Sequence, residues 1–162
     1  MIMKQDDIRY QTYLQILKEE LVPAMGCTEP IAIAYGSAKA RELLGTIPDK
    51  VVIEVSANII KNVKSVVVPN TNGLKGIEAA VSIGIMAGKS EKILEVISQA
   101  SEEEKKAAKE YMERKCIQVK LADTSLIFDI IITMHSKQSY VKLRIADYHT
   151  NIVYIHKTVC CA

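Results

Sequence analysis

The chain lacks several features that would assign it quickly. No run of about 18 apolar residues occurs in its 162 residues, so no segment reads as a membrane-spanning helix. The opening "MIMKQDDIRY" turns acidic where the apolar part of a signal peptide belongs. There is no G-x-x-x-x-G-K-[ST] phosphate loop and no G-x-S-x-G nucleophile elbow. Lys plus Arg is 21 and Asp plus Glu is 19, a balance without the basic stripe of a nucleic-acid binder. Cysteine is scarce: Cys27, Cys116, Cys160 and Cys161. Two of them are adjacent, which suits no ordinary disulfide framework. The expectation is a single domain over residues 1–162, cytoplasmic, with reduced thiols and neither membrane nor nucleic acid as partner.

The apolar pattern predicts helices first and a meander last. Ile8, Tyr13, Leu14, Ile16, Leu17 and Leu21 have roughly helical spacing. "TEPIAIAYGSAKARELLG" reads as a small-residue helix with Thr28 as N-cap, Pro30 in its first turn and Gly45 at its end. "DKVVIEVSANI" alternates as a strand, and "KSVVVP" reads as a second short one. "IEAAVSIGIMAG", "EKILEVISQA" and "SEEEKKAAKEYMERK" are predicted helices. "CIQVKLA", "SLIFDIIITMHS", "SYVKLRIADYH" and "TNIVYIHK" are β-rich runs with short separators, which favours antiparallel neighbours. The predicted class is α+β, an antiparallel sheet with helices packed on one face.

Three places could carry chemistry. Cys27 stands before a helix start, where free N–H groups and the helix dipole stabilise a thiolate. A buried structural cysteine is the alternative there. The stretch "NIIKNVKSVVVPNTNGLKG" gathers Asn58, Lys61, Asn62, Asn70 and Thr71 ahead of a helix. Amides and glycines at such a place suit a carboxylate or phosphate, and the same residues also serve plain turns. His149 is a candidate general base, and equally an ordinary polar residue of a turn before a strand. A zinc site from His149, His156, Cys160 and Cys161 fails the usual ligand spacing.

Taken together, "LKEELVPAMGCTEPIAIA", "SANIIKNVKSVVVPNTNGLKGIEAAVSIG" and "HTNIVYI" resemble, in that order, the N-terminal part of the L-cysteine desulfidase family. That family is related to the alpha chain of iron–sulfur L-serine dehydratases. The resemblance covers roughly residues 8 to 156. It implies conversion of L-cysteine to pyruvate, ammonia and sulfide on a [4Fe–4S] cluster held by three cysteines. Cys27 matches the cluster ligand of the family's "GCTEP" motif, and Asn58, Lys61, Asn62, Asn70 and Thr71 fall in its substrate-binding stretch. The family's other cluster cysteines lie in a C-terminal half that this sequence does not match. The implied protein is therefore an N-terminal part, inactive alone, completed by a C-terminal partner chain or an oligomer. L-Serine in place of L-cysteine, or a non-catalytic interaction domain, are the alternatives.

Overall fold

The computed structural model describes residues 5–21, 23–137 and 139–158. Helix α1 spans Ile8–Glu20 and is capped by Asp7, whose carboxylate accepts from the Arg9 backbone N–H. Its apolar side chains Ile8, Tyr13, Ile16 and Leu17 are exposed. Helix α2, Thr28–Leu44, is the central one. Strand β1 follows (Lys50–Val55), then the short helix α3 (Ala57–Val63) and helix α4 (Gly76–Ala87). A 3₁₀ turn at Ser90–Glu95 leads to α5 (Glu102–Glu113). Four strands end the chain: β2 (Ile117–Leu121), β3 (Asp129–Ser136), β4 (Ser139–Ala146) and β5 (Ile152–Thr158). The fold is α+β, with helices packed against one face of a single sheet.

The sheet order is β2-β1-β3-β4-β5. Strands β1, β3, β4 and β5 pair antiparallel, while β2 joins β1 in parallel. A parallel pair needs a long crossover, and three helices lie between Val55 and Ile117. Period-two alternation sets the inner face. Val51, Ile53 and Val55 of β1, Ile130, Ile132 and Met134 of β3, and Val141, Leu143 and Ile145 of β4 are all fully buried. Each such side chain contributes roughly 1.5–3 kcal/mol by leaving water. The opposite face carries Glu54, Thr133, Lys142 and Arg144.

Small residues let α2 reach two neighbours at once. Gly36 lies against Ile132 and Ile145 of the sheet, and Gly84 of α4 lies against the Ala34 backbone. Helix α4 packs beside α2, and α5 packs on α4. A capping box starts α5, with Ser101 and Glu104 exchanging backbone bonds.

Several local expectations are corrected. Cys27, not Thr28, is the N-cap of α2, and its side chain makes no cap bond. "SANIIKNV" leaves the strand at Ser56 and becomes α3. "KSVVVP" forms no strand; Val67 makes only an isolated bridge with Lys75. "EKILEVISQA" is not one helix, because Ile93 breaks it with φ 51° and ψ −112°.

Candidate functional site

The N-terminus of α2 is where distant parts of the chain meet. The sequence turns through Gly26 at φ +144°, a conformation open mainly to glycine. A Cβ at Gly26 would lie 3.2 Å from Pro69 Cγ, so the loop before α4 abuts this turn. Cys27 follows and is exposed. Its Sγ donates to Glu29 Oε2 at 3.2 Å, and Asn62 Nδ2 donates to Glu29 Oε1 at 3.2 Å. Glu29 thus ties the cysteine to α3.

His149 arrives from the other side. It sits in the turn between β4 and β5, which Asn151 pins by donating from Nδ2 to Ala146 O at 3.0 Å. His149 Nε2 lies 3.0 Å from Thr28 Oγ1. Its ring packs on Phe128, with centroids 4.6 Å apart. Within "HTNIV", therefore, Asn151 shapes the turn and His149 is the group presented to α2.

The electrostatics of the trio are coupled. Burial raises the Cys27 thiol pKa, and the Glu29 carboxylate raises it further by bond and by charge. Burial is the larger cause, and both act against the helix-terminus effect that favours a thiolate. Burial works against the Glu29 charge, yet the bonds from Cys27 and Asn62 hold its pKa below the ordinary value. Burial lowers the His149 pKa, and Glu29 offsets part of that effect. At neutral pH the cluster is a thiol, a carboxylate and a neutral imidazole.

The other candidates are distributed as follows. Asn62 touches the cluster directly. Asn58 lies one helical turn before Asn62 on the same face of α3, and Lys61 is exposed on that helix. Asn70 donates from Nδ2 to Ile97 O at 2.8 Å. Thr71 is buried and donates to Val68 O at 2.7 Å. Those two side chains hold the shape of the loop that brings Pro69 to Gly26. Sequence reasoning missed Glu29 and Phe128 as members of the site. Glu29 had a usable signal, a carboxylate two residues after a cysteine at a helix start. Phe128 had none.

A [4Fe–4S] cluster does not fit the described residues by themselves. A cubane is held by several converging thiolates. Cys27 is the single cysteine of its cluster, and among the described residues no three of His, Cys, Asp and Glu converge to hold a metal ion. Cys116 is elsewhere: its carbonyl accepts from the Val51 N–H, and it lines a concavity with Ile47, Pro48 and Asp49 that contains no residue of the Cys27 site. Cys160 and Cys161 lie outside the described residues.

Fold and site define an α+β domain with a thiol–carboxylate–imidazole cluster at the start of its central helix. No family model matches the chain. No solved structure matches it either. It is 69% identical over 157 residues to the UPF0597 protein DSY1109 of Desulfitobacterium hafniense (strain Y51), a match covering 97% of this chain and 36% of that protein. It is 48% identical over 155 residues to a UPF0597 protein of Treponema denticola, covering 96% of this chain and 36% of the relative. A UPF0597 protein of Finegoldia magna is 49% identical over 148 residues, with 91% and 36% covered. The chain spans about a third of the length of these curated relatives.

Proposed function

We propose that this chain is the substrate-binding and proton-transfer part of a carbon–sulfur lyase that converts L-cysteine to pyruvate, ammonia and sulfide. The reading rests on the sequence resemblance and on one observation. Cys27, Glu29, Asn62 and His149 come from three separate stretches of chain and meet at the start of α2. Asn58, Lys61 and Asn62 on α3 offer an ammonium and amides to the substrate carboxylate. His149, neutral at neutral pH, takes the α-proton. The Cβ–S bond then breaks, sulfide leaves with the electron pair, and the aminoacrylate so formed hydrolyses to pyruvate and ammonia. Cys27 is offered as one thiolate of an iron–sulfur site whose other ligands come from outside this chain.

The experiment supplies the remaining two thirds of the Desulfitobacterium relative as a separate polypeptide, under anaerobic conditions with iron and sulfide. The complex is expected to release sulfide and pyruvate from L-cysteine, and the 162-residue chain alone to release neither. H149Q in the complex should cost roughly 100-fold or more in kcat, the ordinary weight of a general base. Turnover of L-serine but not L-cysteine would assign the dehydratase-type alternative. An active H149Q complex would overturn the role of His149.

A second reading, a non-catalytic interaction domain, is favoured by the exposed apolar side chains of α1 and β5. Leu17 of α1 is 49% exposed, and Val153, Tyr154 and Ile155 of β5 are 49%, 47% and 46% exposed. A stable complex with the second polypeptide that acts on neither amino acid would support it.

A further inference from the structure

The loop before α4 and the first turns of α5 form a concavity of about 480 Å³ that shares no residue with the Cys27 cluster. Thr71, Asn72 and Leu74 line it from the loop, Thr71 with its hydroxyl already bonded to Val68 O; Glu102, Lys105, Lys106 and Lys109 line it from α5. Spacings of three and four residues place Lys105, Lys106 and Lys109 around one side of the helix. Lys105 is not an ordinary solvated lysine. Its side chain is 11% exposed, and its Nζ lies 2.8 Å from Glu102 Oε1. From the loop, Asn72 adopts φ 56° and donates from Nδ2 to Glu102 Oε2 at 2.7 Å. One carboxylate oxygen thus faces an ammonium and the other an amide, the contacts an external oxyanion would take.

We propose that this concavity binds the phosphate group of a small phosphorylated metabolite, with Glu102 as an internal competitor that the phosphate displaces. Three lysines and one glutamate leave a formal charge of 3 − 1 = +2 on the wall. A phosphate monoester, at about −1.5 to −2, balances that charge where a single carboxylate does not. Ammonium groups are compact point charges that can approach a tetrahedral anion from several sides. Lysine is an ordinary phosphate binder that acts as a point charge. The volume lies within the range of small-molecule pockets, and Leu74 offers the organic portion an apolar contact.

The test is a titration of the full ¹⁵N-labelled chain with inorganic phosphate and, separately, with glycerol 3-phosphate, using succinate as the carboxylate control. Saturable shifts are expected at the amides of Asn72, Gly73 and the first turns of α5, weakening as salt is added. Lys106 and Lys109 are exposed, so the double variant K106M/K109M keeps the fold; it should bind at least about tenfold more weakly, the loss of 1.4 kcal/mol or more. E102Q removes the competitor and should bind more tightly than the parent. Glycerol 3-phosphate binding tighter than inorganic phosphate would support a metabolite as the ligand. Shifts that never saturate, succinate binding as well as phosphate, or unchanged affinity in K106M/K109M would each overturn the proposal.

Discussion

At the scale of single residues, burial and then Glu29 hold Cys27 as a thiol. The Glu29 carboxylate accepts the thiol proton's hydrogen bond and raises the energy of a thiolate beside it. E29Q removes the charge, so the Cys27 pKa falls and more thiolate is present near pH 8. Alkylation of Cys27 by iodoacetamide should then proceed several-fold faster in E29Q than in the parent chain. Equal or slower alkylation would show that burial alone sets the thiol. His149 gives a second prediction. An unfolded chain takes up a proton at His149 near pH 6.5, whereas burial lowers the folded value. Below pH 6.5 the unfolded state therefore binds more protons, and His149 withdraws stability as pH falls from there through the depressed folded value. Urea midpoints measured at pH 7.5 and 5.5 should drop more in the parent than in H149Q. A drop of the same size in both would remove His149 as the source.

At the scale of elements, the decisive contact is helix on helix. A Cβ on Gly84 would lie 2.3 Å from Ala34 O, with the Ala34 Cα at 2.8 Å. Backbone cannot move aside cheaply inside a packed core. A Cβ on Gly36 meets Ile132 Cδ1 at 2.8 Å and Ile145 Cδ1 at 3.0 Å, both flexible side-chain ends. G84A should therefore cost about 2–3 kcal/mol in urea unfolding and G36A clearly less, within the range for overpacking. The reverse order would mean that α2 and α4 adjust more easily than the sheet does. These contacts explain why glycine and alanine recur in both helices, a composition visible in "IAIAYGSAKA" and "IEAAVSIGIMAG" without any hint of which residues touch.

At the scale of the whole molecule, the sheet has one dry face and one open face, and a charged pair holds the open side. Asp129 is fully buried, and Arg144 grips it with two bonds of 2.9 and 2.7 Å. R144M leaves that carboxylate buried without its partner, a change that costs about 3 kcal/mol in such settings. The Arg144 side chain is 37% exposed, so water recovers part of the loss. The double variant D129L/R144M should regain much of the stability lost by R144M; denaturation of all four proteins of the cycle measures it. Additive losses would mean that the two residues act independently. Among the described residues no helix is long and apolar enough to cross a membrane.

Period and punctuation in the sequence determined most of the elements. The 3.6-residue spacing of α1, the Ser-x-x-Glu start of α5, Gly45 after α2 and the alternation of β1, β3 and β4 are local properties, so the α+β class was legible. Local pattern failed where long-range contacts decide. "SANIIKNV" has strand-like β-branched residues, yet Ser56 turns the chain by donating to Ile127 O at 2.7 Å, 71 residues away, and α3 begins there. "KSVVVP" has strand composition but no neighbouring strand to pair with beyond one bridge. The parallel placement of β2 depends on which edge of β1 was free. The same division holds for the candidate site. Sequence alone marked Cys27 and His149, because a cysteine at a helix start and a histidine in a turn are local signals. Only the tertiary structure set His149 against Thr28, joined Asn62 to Cys27 through Glu29, and turned Asn70 toward the Ile97 carbonyl. Hydrogen-bond partners 33 and 121 residues apart are chosen by how α2, α3 and the β4–β5 turn pack. No periodicity within a single segment carries that information.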